Sequence, residues 1–234
     1  MKNTIQDKNK LVNSVFSEVY REYDLMNDIM SFGIHRIWKN KFLDWTNPQP
    51  HSKIIDVASG TGDIAKLFLK RLNNYCEITC VDPNLEMLKQ SKMKLNRFDN
   101  IKWINAMAEN IPVKDNFFDI YTISYGIRNV SNINKTLKEA YRVLKPGGRF
   151  MCLEFSKIDN EILDLIYKQY SKTIPYIGKL IVGSEKPYNY LIKSINEFYN
   201  QEQLAEIINK NGFSNVKFRN MSSGISAIHS GWKI

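Results

Sequence analysis

The apolar run Lys53-Ile54-Ile55-Asp56-Val57 passes directly into Ala58-Ser59-Gly60-Thr61-Gly62-Asp63 and then into Ile64-Ala65. A strand, a tight glycine turn and a helix start in that order are the opening unit of a doubly wound α/β sheet. Glycines at 60 and 62 permit a left-handed turn and keep Cβ atoms away from a ligand, and the following helix start presents unpaired N–H groups. The same spacing occurs in dinucleotide-binding loops, so the glycines alone do not choose the ligand.

The surrounding acids choose it. Asp56 precedes the loop, Asp63 closes it, and Asp82 follows the next apolar strand, Glu77-Ile78-Thr79-Cys80-Val81, at the distance where an acid accepts hydrogen bonds from ribose hydroxyls. Carboxylates in this number repel a pyrophosphate and attract a ligand with a ribose, an ammonium and a sulfonium. S-adenosyl-L-methionine has all three. The competing reading is an ordinary strand-to-helix turn with solvated acids, and the spacing to Asp82 counts against it.

The chain has 234 residues, 43% of them hydrophobic, enough for one good core, so a single domain is expected. Its net charge of +9 would suit nucleic acid or an anionic membrane surface. The cations are spread thinly, as in Lys89, Lys92, Lys94 and Arg97 on a predicted helix, and no arginine-rich block appears, so no nucleic-acid partner is expected. Cys76, Cys80 and Cys152 lack metal-ligand spacing, His51 and His229 likewise, so buried free thiols and no metal are expected. Residues 1–20 resemble neither a secretory signal nor a transit peptide, and no apolar run reaches ~18 residues. The expected location is cytoplasmic, peripheral to the inner membrane at most.

Alternating patterns predict strands at 53–57, 77–81, 101–105, 118–124 and 149–155, with helices from 61, over 84–96 and over 131–144. Leu144-Lys145-Pro146-Gly147-Gly148-Arg149 stops a helix and turns the chain into the fifth strand. Residues 10–46 read as a helical lid broken at Ser31-Phe32-Gly33, and residues 53–156 as the cofactor-binding core. Residues 157–199, rich in aromatics such as Tyr167, Tyr170, Tyr188 and Tyr190, read as an insertion that covers a greasy substrate or as a core helix pair; periodicity does not separate the two. Residues 200–234 supply a last helix over 201–210 and an antiparallel hairpin, 214–220 with 225–231, joined by Ser222-Ser223-Gly224.

Tyr23-Asp24-Leu25-Met26-Asn27-Asp28-Ile29-Met30-Ser31-Phe32-Gly33-Ile34-His35-Arg36-Ile37-Trp38-Lys39 closely resembles the N-terminal signature of the ubiquinone/menaquinone biosynthesis C-methyltransferase family. Thr122-Ile123-Ser124-Tyr125-Gly126-Ile127-Arg128-Asn129-Val130, Tyr141 through Arg149 with Leu153-Glu154-Phe155-Ser156, and Gly224 through Trp232 extend the likeness over nearly the whole chain. The resemblance implies a class I, Rossmann-like methyltransferase fold with a seven-stranded, mostly parallel sheet ending in an antiparallel hairpin. It implies methylation of a ring carbon of a polyprenylated benzoquinol, naphthoquinol or both, peripheral contact with a membrane, and room for a homo-oligomer or a quinone-biosynthesis assembly. By position it assigns Thr61, Asp82, Met107, Ala108 and Ser124 to the cofactor, beside Asp56, Gly60 and Gly62 from the loop itself. Ser59 stands where the family usually has glycine and Met107 where asparagine is common, so a contact at 107 would be backbone or apolar.

Methyl transfer to carbon needs an aligned, electron-rich ring. A quinol hydroxyl has a pKa of roughly 10, and removing its proton pushes charge onto the neighbouring carbon. Arg128 and Asn129, after the fourth strand, are expected to bind the quinol oxygens, the cation favouring phenolate by electrostatics or a water relay because arginine is a poor base. The structural alternative pairs Arg128 with an acid such as Asp28. Tyr23 is a further candidate for a ring oxygen, whereas His35 reads mainly as a packing or capping residue. Two other functions compete: a methyltransferase for another small acceptor, and a non-catalytic cofactor-binding subunit of a quinone assembly.

Overall fold

The computed structural model describes residues 33–158 and 183–234 continuously and, outside these, residues 12, 14, 15, 17, 28, 31, 165, 167, 169, 170, 173–176, 178 and 179. Seven strands form one sheet in the order β3-β2-β1-β4-β5-β7-β6. They are β1 (Lys53–Val57), β2 (Glu77–Asp82), β3 (Ile101–Asn105), β4 (Phe118–Ser124), β5 (Leu144–Phe155), β6 (Ser214–Met221) and β7 (Ser226–Trp232). The first five pair in parallel, and β7 runs antiparallel to both β5 and β6, as the sequence predicts.

The helices are α1 (His35–Thr46), α2 (Asp63–Arg71), α3 (Leu85–Lys94), α4 (Ile133–Val143), α5 (Lys186–Glu197) and α6 (Gln201–Lys210). Polar caps fix several of their starts. Asn84 accepts from Glu86 N and Met87 N, Asn132 from Lys135 N, and Asn200 forms a reciprocal box with Gln203. α1 ends at Asn47, whose backbone is left-handed (φ +48°) and whose N–H returns to Leu43 O.

Successive strand residues point to opposite faces, so the sheet carries two cores. Ile54, Ile78, Met151 and Leu153 pack with Trp38 and Phe42 of α1, Phe68 of α2, and Tyr188 and Leu191 of α5. Ile55, Tyr121, Phe150 and Cys152 pack on the other face with Leu137 and Ala140 of α4 and Ile208 of α6. All three cysteines are buried free thiols, as expected.

Several boundaries shift by one or two residues from the sequence reading, and two of the differences bear on the site. α2 begins at Asp63, because Thr61 and Gly62 belong to the turn. β5 begins at Leu144 and not at 149: Leu144 pairs with Phe118 and Arg149 with Ile120, so Pro146-Gly147-Gly148 is an irregularity inside the strand. The turn chemistry is unchanged, since a bulge needs the same freedom. Most important for function, β1 lies between β2 and β4, so the connections leave it in opposite directions and open a crevice at its carboxyl end.

Candidate active site

Both walls of that crevice begin with a left-handed residue. Ala58 (φ +52°) follows β1 and Tyr125 (φ +55°) follows β4. Such backbone is costly for residues with a Cβ and concentrates at functional sites. The two turns nearly touch: a Cβ on Gly126 would lie 2.4 Å from that of Ala58, so glycine is required there. Gly62 answers to a similar constraint, because its φ is +84° and a Cβ would meet Ser91 Oγ at 2.2 Å. Gly60 differs, with φ +53° and open space where a Cβ would stand.

Asp82 ends β2 and is locked to the loop. Its Oδ2 accepts from Gly60 N at 2.9 Å and its Oδ1 from Asn84 N at 2.8 Å. Asn105 steadies the strand end by donating to the carbonyls of Asp82 and Pro83, both at 2.9 Å. Each carboxylate oxygen retains a further lone pair for a ribose hydroxyl. Burial pushes Asp82 up to about 6, against these two backbone hydrogen bonds.

Asp56, near the end of β1, accepts from Thr122 Oγ1 at 2.8 Å through Oδ1, while its buried Oδ2 has no hydrogen-bond partner among the described residues. Burial pushes its pKa up to about 7; the Thr122 bond opposes this and the charge of Asp82 adds to it. Ser124, the last residue of β4, likewise has a buried hydroxyl without a partner among the described residues. Both line the crevice with Gly60, Thr61 and Ala58. Orphaned buried polar atoms are costly, and several on residues that line one cleft fit a polar, cationic guest.

The crevice is not purely acidic, which corrects the sequence reading. Lys39 of α1 is buried in it and lies 2.8 Å from Asp63 Oδ2. Burial would raise Asp63, but Lys39 holds it below the ordinary carboxylate range. Asp63 is therefore paired with α1, leaving Asp56 and Asp82 as the acids with capacity for a ligand. Met107 and Ala108 follow β3 outside the crevice lining, Met107 exposed and Ala108 buried beside Val81 and Ile104.

Arg128 and Asn129 sit in the 3-10 turn Ile127–Asn129 after β4. Arg128 donates from Nη1 to Glu154 Oε1 at 2.6 Å and to Tyr125 O at 2.7 Å, and its own N–H reaches Glu154 Oε2 at 3.3 Å. Arg128 thus has an acidic partner, but it is Glu154 of β5. Asp28 instead binds Arg36 at 2.7 Å. Burial raises the Glu154 carboxyl, while the Arg128 charge favours its ionised form. Tyr190 of α5 donates its hydroxyl to Asn129 Oδ1 at 2.9 Å, bringing the insertion over this turn. His35 is buried, with Nδ1 2.9 Å from Ser31 Oγ, in the packing role expected of it. Tyr23 lies outside the described residues.

Lys39, Glu154 and Tyr190 are the site residues that the sequence reading did not single out. Glu154 carried a signal, an acid inside the apolar run Phe150-Met151-Cys152-Leu153-Glu154-Phe155, which must find a partner once buried.

The chain is similar to known proteins over nearly its whole length. The model of the ubiE/COQ5 methyltransferase family matches residues 3–233. The ubiquinone/menaquinone biosynthesis C-methyltransferase UbiE of Rickettsia bellii is 51% identical over 235 aligned positions, covering 97% of this chain and 94% of that protein. Among solved structures, a SAM-dependent methyltransferase from Thermotoga maritima superposes with a TM-score of 0.65 at 22% identity, covering 94% of this chain and 99% of that one. A phosphoethanolamine N-methyltransferase from Haemonchus contortus, solved with S-adenosyl-L-methionine, superposes with a TM-score of 0.63 at 15% identity over 84% of this chain and 52% of that one.

Proposed function

The chain belongs to the ubiE/COQ5 methyltransferase family, and from that premise we propose how its crevice and the adjoining turn divide the work between cofactor and acceptor. It is an S-adenosyl-L-methionine-dependent C-methyltransferase of ubiquinone/menaquinone biosynthesis, with a quinol as substrate. When bound, S-adenosyl-L-methionine supplies the methyl group from a sulfonium. The observation that carries the assignment of residues is that Asp56 and Ser124, which line one cleft beside Asp82, each hold a buried polar atom without a partner among the described residues.

In this reading Asp82, fixed by Gly60 and Asn84, takes the ribose hydroxyls, and Asp56 takes the ammonium. Gly60, Thr61 and Gly62 bring backbone against the ligand, Ser124 donates or accepts at the wall of β4, and Met107 and Ala108 flank the adenine. The acceptor ring sits at the Ile127–Asn129 turn. Asn129 and Tyr190 hold a ring oxygen, and Tyr23 is assigned to the same ring. Arg128, oriented by Glu154, supplies a positive field that favours the phenolate, while half-buried Tyr190 restricts water. Orientation of acceptor against donor is the largest contribution, up to ~7–11 kcal/mol.

We further propose that the chain is one domain divided into a helical lid over 1–46, a cofactor core over 53–156, a substrate-covering insertion over 157–199 and a closing helix and hairpin over 200–234. We also propose that the acceptor carries a polyprenyl tail and that the enzyme meets it at a membrane surface. No helix among the described residues is long and apolar enough to cross a membrane. A methyl-transfer assay with short-chain demethylated quinols tests the residue assignments. Replacing Asp56 or Asp82 by the amide should weaken cofactor binding, whereas replacing Asn129 or Tyr190 should raise the KM for the quinol and spare the cofactor. The opposite partition would reject the assignment.

A further inference from the structure

Arg149 of β5 and Arg219 of β6 converge on one indole: their guanidinium carbons lie 5.6 and 4.4 Å from the ring of Trp45, and Arg149 also lies 4.9 Å from the ring of Trp232. The strand register places them together, since Arg149 pairs with Trp232, Lys217 with Ser230 and Arg219 with Ile228. They border two adjoining concavities of about 530 and 460 Å³ on the α1 side of the sheet, away from the cofactor crevice.

Among the described residues the arginines of this groove have no anionic partner. There Arg149 donates to neutral acceptors, Ser230 Oγ at 3.1 Å, Trp45 O at 2.6 Å and Thr46 O at 3.2 Å. Among the described residues, Arg219 has its indole contact but no hydrogen bond or ion pair, and Lys217 has neither. Among the described lining residues Asp44 is the single carboxylate, and Arg71 holds it at 2.9 Å and Lys41 at 3.9 Å. Burial, and then the charge of Arg219, lower the pKa of Arg149. Two guanidiniums held together without an anion are a cost in the free protein that a bound anion would relieve.

The remaining chemistry describes the anion's setting. Met221 and Ile228 give an apolar floor, and Trp45 and Trp232 flank the cations. Arginines and lysines bracketed by tryptophans match the headgroup level of a bilayer, where phosphates lie above acyl chains. Ser222, the residue after Met221, accepts from Trp38 Nε1 at 3.0 Å through its hydroxyl. α1 therefore contributes to this groove through Trp45 and to the cofactor crevice through Lys39.

We propose that this groove is the docking surface for an anionic membrane, with lipid phosphates received by Arg149, Arg219 and Lys217. It rests on the reading of the acceptor as a polyprenylated quinol, which resides in a bilayer.

Co-sedimentation with vesicles of equimolar phosphatidylcholine and phosphatidylglycerol tests this, with turnover of a soluble short-chain quinol measured on the same preparations. Lys217→Glu/Arg219→Glu should weaken vesicle binding by at least about thirtyfold, the loss of two cations alone, while turnover and melting temperature hold. Lys135→Glu/Lys138→Glu, the same change in net charge on α4 across the sheet, should leave binding within about threefold by the same surface-distance argument. Equal effects of the two pairs, or wild-type binding by the groove variant, would overturn the proposal. Inorganic phosphate that abolishes vesicle binding at constant ionic strength would also overturn it, marking a small-anion site. Wild-type protein that ignores the vesicles yet methylates the soluble quinol would reject the docking surface and leave the catalytic reading intact.

Discussion

Arg128 Nη1 lies 2.6 Å from Glu154 Oε1, and both side chains are almost wholly buried, at 3% and 1% exposure. The pair joins the turn after β4 to the end of β5, so a residue proposed to act on the acceptor is also part of the fold.

Truncating Arg128 therefore has two consequences that a single variant confounds. Arg128→Met leaves Glu154 buried without its cation and should cost ~3–5 kcal/mol of stability. Adding Glu154→Gln removes the stranded charge and should restore much of that loss. Turnover should stay low in the double variant, with cofactor affinity near wild type in calorimetry. Recovery of turnover along with the melting temperature would make Arg128 scaffold alone.

The two loop glycines should fail differently. Gly62→Ala places a methyl group against Ser91 and Leu95 at φ +84°, so stability should fall by ~2–4 kcal/mol from left-handed strain plus overpacking. Gly60→Ala meets no protein atom and should cost only ~1 kcal/mol, while its methyl group intrudes on the ligand. Thermal unfolding and cofactor titration of both variants check this: Gly62→Ala should be the less stable and Gly60→Ala the weaker binder relative to its stability.

How much of this was legible follows from how local each signal is. β1, β3 and β4 match their predicted spans to the residue, because period-two alternation and the turn residues beside them are local. The start of β5 was not, since pairing of Leu144 with Phe118 across a proline-glycine bulge depends on the neighbouring strand. Asp56 and Gly60 were candidates from one motif and Asp82 from its spacing, while Thr61 was assigned through the family resemblance. Glu154 lies 26 residues from Arg128, and Lys39 reaches Asp63 from a helix that precedes the sheet. Such contacts are products of topology, so the fold was more legible than the charge balance of its crevice.

Cofactor affinity should depend on pH through Asp56 and Asp82, raised to about 7 and about 6 by burial. In the free protein these raised values favour the protonated carboxyls, so their contribution to stability is full below about pH 4 and is lost as pH rises through 6 and 7. A cationic ligand reverses the preference, because it binds the ionised forms. Isothermal titration should show affinity falling about tenfold or more from pH 8 to pH 5.5. Asp56→Asn should remove the step near 7 and retain the one near 6.

Tyr190→Phe deletes the 2.9 Å hydrogen bond to Asn129 and keeps the ring. A neutral hydrogen bond is worth about 0.5–1.5 kcal/mol, so the melting temperature should change little. The KM for a short-chain quinol should rise about three- to tenfold, with cofactor affinity unchanged, in steady-state kinetics. A shift in cofactor affinity instead would place Tyr190 on the wrong side of the site.

The most direct measurement incubates the protein with methyl-labelled S-adenosyl-L-methionine and a short-chain demethylated quinol and locates the label by NMR and mass spectrometry. A crevice built around Asp56 and Asp82 for a cationic methyl donor predicts one labelled methyl group on a ring carbon. It also predicts that NADH fails to compete. Label on a quinol oxygen, no product despite bound cofactor, or tighter binding of NADH would contradict it.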